Sequence, residues 1–444
     1  MQTQIDKVSS SKRARQKFDS AIRFHHSGHL SDAMHLYEEI LQEFPSHFDA
    51  LHLLGVAETQ SYRPSLALDY FDRALKLNNA YAPLHSNRGI ALKDLQNFDE
   101  ALSCYNNAIS LDSSFTDAYY NRGIVNLALG NFPEGWRDYE RRAEINSLYQ
   151  TSLKGHAEVK GGFSVCNGVE DLRGKTVFVA SEQGIGDCIM FFSILPDLCS
   201  DAKHVICQAD PRLLGLLARC FPGVTFVRSG DVTALKAITV DRYIRLGSLG
   251  YTYRHNLDDF PNKPYFKSNP AIRSYWQSRM PADPKVFNVG ISWRGGSLNR
   301  NGAARSMTLD DLSPLLDRSD CNFVSLQYGE VASEIDHFNA GRERKIKFFY
   351  KREIDDFEDF AALIDALDYV VSVQNTTVHT CGALGKKCLT ILPKRPEWRY
   401  GTSGPRMPWY SSVELYRQSP AGPLTDMLNA INDQITNLIE GVIQ

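Results

Sequence analysis

Three short stretches in the second half of the chain carry the residue types of phosphate binding and proton transfer. The first is Ser181-Glu182-Gln183-Gly184-Ile185-Gly186-Asp187. Gly184 and Gly186 permit a tight turn and the close approach of another molecule, and Asp187 stands where a helix begins. Asp187 is either an N-cap, accepting backbone N–H groups, or a general base. A helix N-terminus favours the ionised carboxylate, so a base there needs partial desolvation to restore its basicity. A dinucleotide fingerprint would need a third glycine at position 189, which is Ile189, so a nicotinamide cofactor is not expected. The second stretch is Arg294-Gly295-Gly296, with Arg300 and Arg305 beyond it. A guanidinium beside flexible glycine can grip a phosphate with two hydrogen bonds, or it can make an ordinary surface salt bridge. Gln327 either reads a nucleobase edge or faces solvent. The third stretch is Gln374-Asn375-Thr376-Thr377-Val378-His379, followed by Cys381-Gly382-Ala383-Leu384-Gly385. Asn375, Thr376 and Thr377 at a helix start, with free backbone N–H groups, form a phosphate site. His379, one turn in, is either structural or placed over the anion.

These stretches need rigid elements to aim them. Each follows a short apolar run: Thr176–Ala180, Phe287–Trp293 and Tyr369–Val373, with further runs at His204–Gln208, Thr225–Val227, Phe323–Leu326 and Cys388–Leu392. Apolar strands alternating with helical stretches imply parallel sheets covered on both faces, with ligands beyond the carboxyl ends of the strands. Residues 174–280 and 281–420 are expected to be two lobes, divided by a proline-bearing stretch. Residues 149–173, with Gly161, Gly162 and Gly168, are expected to be a linker. Residues 421–444 have Leu424, Met427, Leu428, Ile431, Ile435 and Leu438 at helical spacing, which predicts a helix across the base of the lobes.

The first third is a repeat. Ala33, Ala67, Ala101 and Gly135 recur every 34 residues, and Tyr37, Phe71, Tyr105 and Tyr139 keep the same step. So do Ala21, Gly55, Gly89 and Gly123. Each unit is expected to be a helix pair, with small residues where the helices pack and an aromatic wedged beside them. Residues 14–148 resemble tetratricopeptide repeats in four units, the last atypical in Gly135 and Arg142. Stacked pairs form a solenoid with a concave groove lined by the first helix of each pair. Asn87 and Asn121 share one register on those helices, in SNRG and YNRG, whereas Leu53 breaks the series. An amide can donate and accept, so the two residues either grip an extended peptide backbone or bond to neighbouring helices. Similarity to the repeat domains of protein O-GlcNAc transferases implies the first.

Composition narrows the classes. The chain has 444 residues, 43% hydrophobic, with 49 Lys and Arg against 52 Asp and Glu. Near-balanced charge argues against a nucleic-acid partner, and high apolar content against disorder. No apolar run is long enough for a membrane span, and no apolar segment follows the charged N-terminal residues as in a secretory signal. The odd set of 9 cysteines, without a C-x-x-C pair, suits a reduced cytoplasmic location.

The three turns taken together resemble GT-B glycosyltransferases of the heptosyltransferase-like group, especially bacterial members with tetratricopeptide repeats. The resemblance spans residues 174–420, through SEQGIGD, VGISWRGG, SLQYGE and SVQNTTVHTCGALGKKCLTILP, with PEWRYG and MPWYSSVELYRQ after them. It implies an α + α/β chain, in which a repeat solenoid precedes a two-lobed Rossmann-like transferase. The activity implied is inverting and metal-independent, moving a sugar from a nucleotide-sugar donor to a Ser or Thr of a protein. The donor is a substrate and no cofactor is implied. By the same resemblance Asp187 is the base, and the Thr376–Thr377 helix start binds the donor phosphate; His379 and Arg294 are expected to stabilise charge on the departing phosphate with it. Gln374-Asn375 stands where the heptosyltransferases have Asp-Thr, which leaves the sugar open. Flagellin or another bacterial surface protein is an acceptor by resemblance. The alternatives are an inactive repeat-domain scaffold, or a transferase acting on a glycan or lipid-linked acceptor.

Overall fold

The computed structural model describes residues 2–145, 168–231, 240–281, 283, 285–296, 302, 304–343, 345–349, 357–419 and 422–443. Arg300 and residues 149–167 of the expected linker lie outside them. The chain divides into two compact units, one of residues 1–126 and 137–146, the other of residues 127–136 and 147–444.

The repeat helices are α1 (Gln2–His26), α2 (Leu30–Glu43), α3 (Phe48–Gln60), α4 (Pro64–Leu77), α5 (Ala82–Asp94), α6 (Phe98–Leu111), α7 (Thr116–Leu129) and α8 (Phe132–Tyr139). The repeating small and aromatic residues pack as their register requires. Ala33, Ala67, Ala101, Tyr37, Phe71 and Tyr105 are fully buried. A Cβ on Gly55 would stand 2.5 Å from the Phe71 ring, and one on Gly89 2.6 Å from Tyr105. The aromatic of each second helix therefore fills the space that a side chain on the first helix would take. The fourth unit departs from this pattern. Its second helix is only 8 residues long, and residues 127–136 pack with the α/β unit. Trp136 is fully buried there, donating from Nε1 to the Arg254 carbonyl at 2.7 Å. Arg142, 1% exposed, replaces the expected small residue and bonds to the Tyr139 carbonyl and Glu140.

The α/β unit contains two sheets. The first has four parallel strands in the order β3-β2-β1-β4, with β1 Thr176–Ala180, β2 His204–Ala209, β3 Val224–Arg228 and β4 Arg242–Arg245. The second has six, β6-β5-β7-β8-β10-β9, with β5 Phe287–Ser292, β6 Cys321–Ser325, β7 Tyr369–Val373, β8 Cys388–Leu392, β9 Arg406–Met407 and β10 Tyr410–Arg417. All its pairings are parallel except β10 with β9. β1, β7 and β8 read as continuous apolar runs because both faces are covered. β4 and β10 were not expected from the sequence, since each mixes charged residues into a short run.

The strand orders locate the switch points. In the first sheet the chain moves outward from β1 through β2 to β3, then returns to the other side of β1 as β4. In the second it moves from β5 to β6, then returns beside β5 as β7. Crevices open at the carboxyl ends of strands where the order reverses. These are the turns after β1, β5 and β7, which hold the three stretches singled out above. The C-terminal helix runs Leu424–Ile443. It buries Met427, Leu428, Ile431, Ile435 and Ile439 in the core of the second sheet, beside Val289, Trp293 and Leu389. Each fully buried aliphatic is worth about 1.5–3 kcal/mol, which is enough to hold the helix on the second sheet.

Candidate active site

Asp187 lies in the first turn of α9 (Ile185–Phe192), just beyond the end of β1. It is the third helical residue, and the N-cap is Gly184, which has no side chain to cap with. The capping alternative for Asp187 is therefore excluded. Its carboxylate instead makes an ion pair with the Arg399 guanidinium. Burial pushes the Asp187 carboxyl above its ordinary range, against the opposing pull of Arg399. A quarter of the side chain stays accessible.

Gly186 provides the close approach that its type suggested. A Cβ there would stand 3.2 Å from Thr376 Oγ1 and 3.2 Å from His379 Cδ2. The glycine turn after β1 thus abuts the start of α10 (Thr376–Leu384), which follows β7. The turn after β5 joins the same place through Asn375, whose amide nitrogen donates to Ser292 Oγ at 2.7 Å and to the Arg294 carbonyl at 3.1 Å. The stretches around 184–187, 294–295 and 375–379 therefore meet.

Not every side chain in them is available to a ligand. Asn375 is the N-cap of α10, accepting from Thr377 N at 2.9 Å and from Ser372 Oγ at 3.1 Å. With its nitrogen also engaged, it braces the switch point. Gln327 is partly accessible. Its oxygen accepts from the backbone of Trp293 at 2.9 Å and of Arg294 at 2.7 Å, and its nitrogen donates to the Tyr328 carbonyl. It clamps the turn after β5. The Arg294 guanidinium pairs with Glu334, to which Trp293 Nε1 also donates, so the salt-bridge alternative holds for Arg294. Arg305 pairs with Glu397 at 3.0 Å, and its Cβ packs against Gly295. Thr377 is buried, while Thr376 is partly accessible at the helix start.

His379 is 3% exposed, with Nδ1 3.3 Å from the Tyr410 hydroxyl. Burial first, then Arg399, pushes its pKa well below the ordinary value. That direction favours the neutral imidazole, which can offer a hydrogen bond. Gln374, also buried, accepts from Glu397 N at 3.1 Å, but its nitrogen has no partner among the described residues. An unpaired buried donor costs about 1–3 kcal/mol unless an acceptor arrives.

The sequence argument missed two charged residues, Glu397 and Arg399, although PEWRYG had been noted. They stand at a short turn, Trp398–Tyr400, whose Trp398 packs edge-on against Trp136 and against Trp409. Arg305, Glu397, Arg399 and Asp187 form a chain of alternating charge from the second lobe to the first. No spacing in the sequence places residue 399 opposite residue 187.

In the repeats, Asn87 lies in α5 and donates to His52 Nε2 on α3 at 2.8 Å. That contact fits the neighbouring-helix alternative for its amide nitrogen. Burial lowers the His52 pKa to about 4, leaving a neutral ring able to accept. Asn121 is partly exposed on α7.

Residues 12–82 match the family described as Tetratricopeptide repeat, and residues 91–130 match TPR repeat. The N-terminal helices are a tetratricopeptide-repeat solenoid. Protein FlbA of Caulobacter vibrioides (strain ATCC 19089 / CIP 103742 / CB 15) is 28% identical over 271 residues, covering 56% of this chain and 44% of FlbA. The chain thus matches less than half the length of that relative. Among solved structures, the crystal structure of MamA protein is 21% identical and covers 33% of this chain and 81% of its own, with a TM-score of 0.29. The first TPR of Spaghetti (RPAP3) bound to HSP90 peptide SRMEEVD is 20% identical over 27% of this chain and 94% of its own, with a TM-score of 0.26.

Proposed function

We propose that the α/β unit is an inverting glycosyltransferase that moves a sugar from a nucleotide-sugar donor to a Ser or Thr of a protein held by the repeats. The observation that carries this reading is the meeting of Gly186 with Thr376 and His379, which brings the turn that carries Asp187 against a helix start. The acceptor hydroxyl gives its proton to Asp187 as its oxygen attacks the anomeric carbon. The bond to the donor phosphate breaks on the opposite face, and its electron pair leaves with the phosphate oxygen. The α10 N-terminus and Thr376 favour that growing negative charge. Metal independence and a surface protein such as flagellin as acceptor follow from the resemblance to GT-B transferases, and a cytoplasmic location follows from the cysteine pattern. Calorimetric titration of the full chain with uridine, guanosine and cytidine nucleotides tests the donor site. Binding of one of them is expected, and binding of none refutes the reading.

The other reading is a protein-interaction scaffold. Two observations favour it: the repeat family itself, and the ion pair that ties Arg294 to Glu334. Nucleotide binding that depends on the 376–379 segment would decide against it.

A further inference from the structure

The charge chain across the lobes raises a problem for catalysis. A carboxylate paired to a guanidinium is a poor base, because the opposite charge favours its ionised form. Asp187 is held in such a pair, by a guanidinium that retains only 13% of its exposure. The same guanidinium is near the first turn of α10, where its charge acts on His379. Its second nitrogen stands 4.0 Å from Glu397. Arg294 and Arg305 are each paired to a glutamate on the second lobe, so Arg399 is the arginine of the three that touches the candidate base.

We propose that Arg399 is a two-position switch, holding Asp187 in the structure described and passing its guanidinium to the donor phosphate when a nucleotide sugar binds. The proposal rests on the glycosyltransferase reading and adds an order of events to it. The diphosphate of a nucleoside diphosphate sugar carries two negative charges against the single charge of a carboxylate, and it can take two parallel hydrogen bonds from a guanidinium. Once released, Asp187 sits in a partly desolvated place with its neutralising partner gone, and its proton affinity rises. The acceptor hydroxyl then loses its proton to Asp187 as the oxygen–carbon bond forms. The carbon–phosphate-oxygen bond breaks, and its electron pair goes to an oxygen now held by Arg399. The base is therefore released only after the donor is seated, so the donor binds before the acceptor. The Trp398 packing and the Glu397 N–H to Gln374 bond fix the backbone before Arg399, and the buried Tyr400 fixes it after, so the change is confined to its side chain.

The test is calorimetry on the full chain at about pH 6, with UDP, GDP and CMP each compared with its nucleoside. It is repeated in buffers of different ionisation enthalpy to count protons. For whichever nucleotide binds, Arg399→Gln is expected to weaken affinity about tenfold or more, with Arg399→Lys in between. Nucleoside affinity should not change. Binding to the wild type should take up more protons than binding to Asp187→Asn, the ionisation of the nucleotide's own phosphate near pH 6 being common to both. Equal nucleotide affinity in Arg399→Gln, or equal proton counts in the wild type and Asp187→Asn, overturns the switch while leaving the transferase reading standing. If the wild type binds no nucleotide, the transferase reading fails and the switch with it. Circular dichroism melts establish that each variant is folded. Should Arg399→Gln unfold, Arg399→Lys and the two proton counts decide the matter.

Discussion

At the scale of single residues, the account turns on a carboxylate that burial makes more basic and a guanidinium that restrains it. Replacing Asp187 by Asn keeps the shape and removes the proton acceptor. Transfer should fall about 10²–10⁴-fold while nucleotide binding stays measurable, because a positioned base contributes about that much. Retained turnover in single-turnover assays would take Asp187 out of the role. The pH profile follows from the direction of its shift. A base works only when deprotonated, and the Asp187 pKa is raised by burial. The acid limb of the transfer rate should therefore lie above the ordinary carboxylate value of about 4. A limb at or below that value would contradict the desolvated site. The types of Asp187, Thr376 and His379 were legible in the sequence, because a strand-to-helix turn exposes whatever follows it. The engagements of Gln327 and Asn375 were not, since each depends on backbone groups that a distant strand brings to 2.7 Å and 3.1 Å. Arg399 was invisible for the same reason.

At the scale of elements, the repeat pairs depend on glycine at the point of closest approach. Gly55→Ala would force a methyl group into the Phe71 ring, which is fully buried and has little room to yield. Overpacking of that kind costs about 1–3 kcal/mol, and the repeats should melt earlier by differential scanning calorimetry. An unchanged melting temperature would mean that the helices separate more freely than their packing indicates. His52 makes the same unit sensitive to acid. Its folded pKa is near 4 against 6.5 in an ordinary setting. Below about 6.5 the unfolded chain takes up a proton that the folded ring refuses, so stability falls as pH drops and levels off below about 4. His52→Gln should flatten that dependence in urea titrations at pH 7 and pH 5, and an unaltered slope would assign the loss to other groups. The period of 34 residues made these helices legible, because each unit repeats its small and aromatic marks. The end of the repeat was harder to place. Trp136 keeps helical register with the fourth unit, yet its ring is buried among residues of the α/β unit. β4 and β10 escaped notice because pairing with β1 and β8, rather than local pattern, makes them strands.

At the scale of the whole molecule, a tetratricopeptide-repeat solenoid and an α/β unit with two largely parallel sheets share one chain. Strand order alone places the turns after β1, β5 and β7 at switch points, so the site's location follows from topology before any side chain is considered. The proposed division of labour gives the repeats the acceptor and the sheets the chemistry. Under the scaffold alternative, the same repeats would gather proteins without changing them. Intact mass spectrometry separates these outcomes in one measurement. Candidate surface proteins would be compared from cells carrying the wild-type chain, the Asp187→Asn chain, or neither. The account predicts at least one protein heavier by the mass of a sugar only where the wild-type chain is present. A sugar retained with the Asp187→Asn chain, or identical masses in all three, would contradict it.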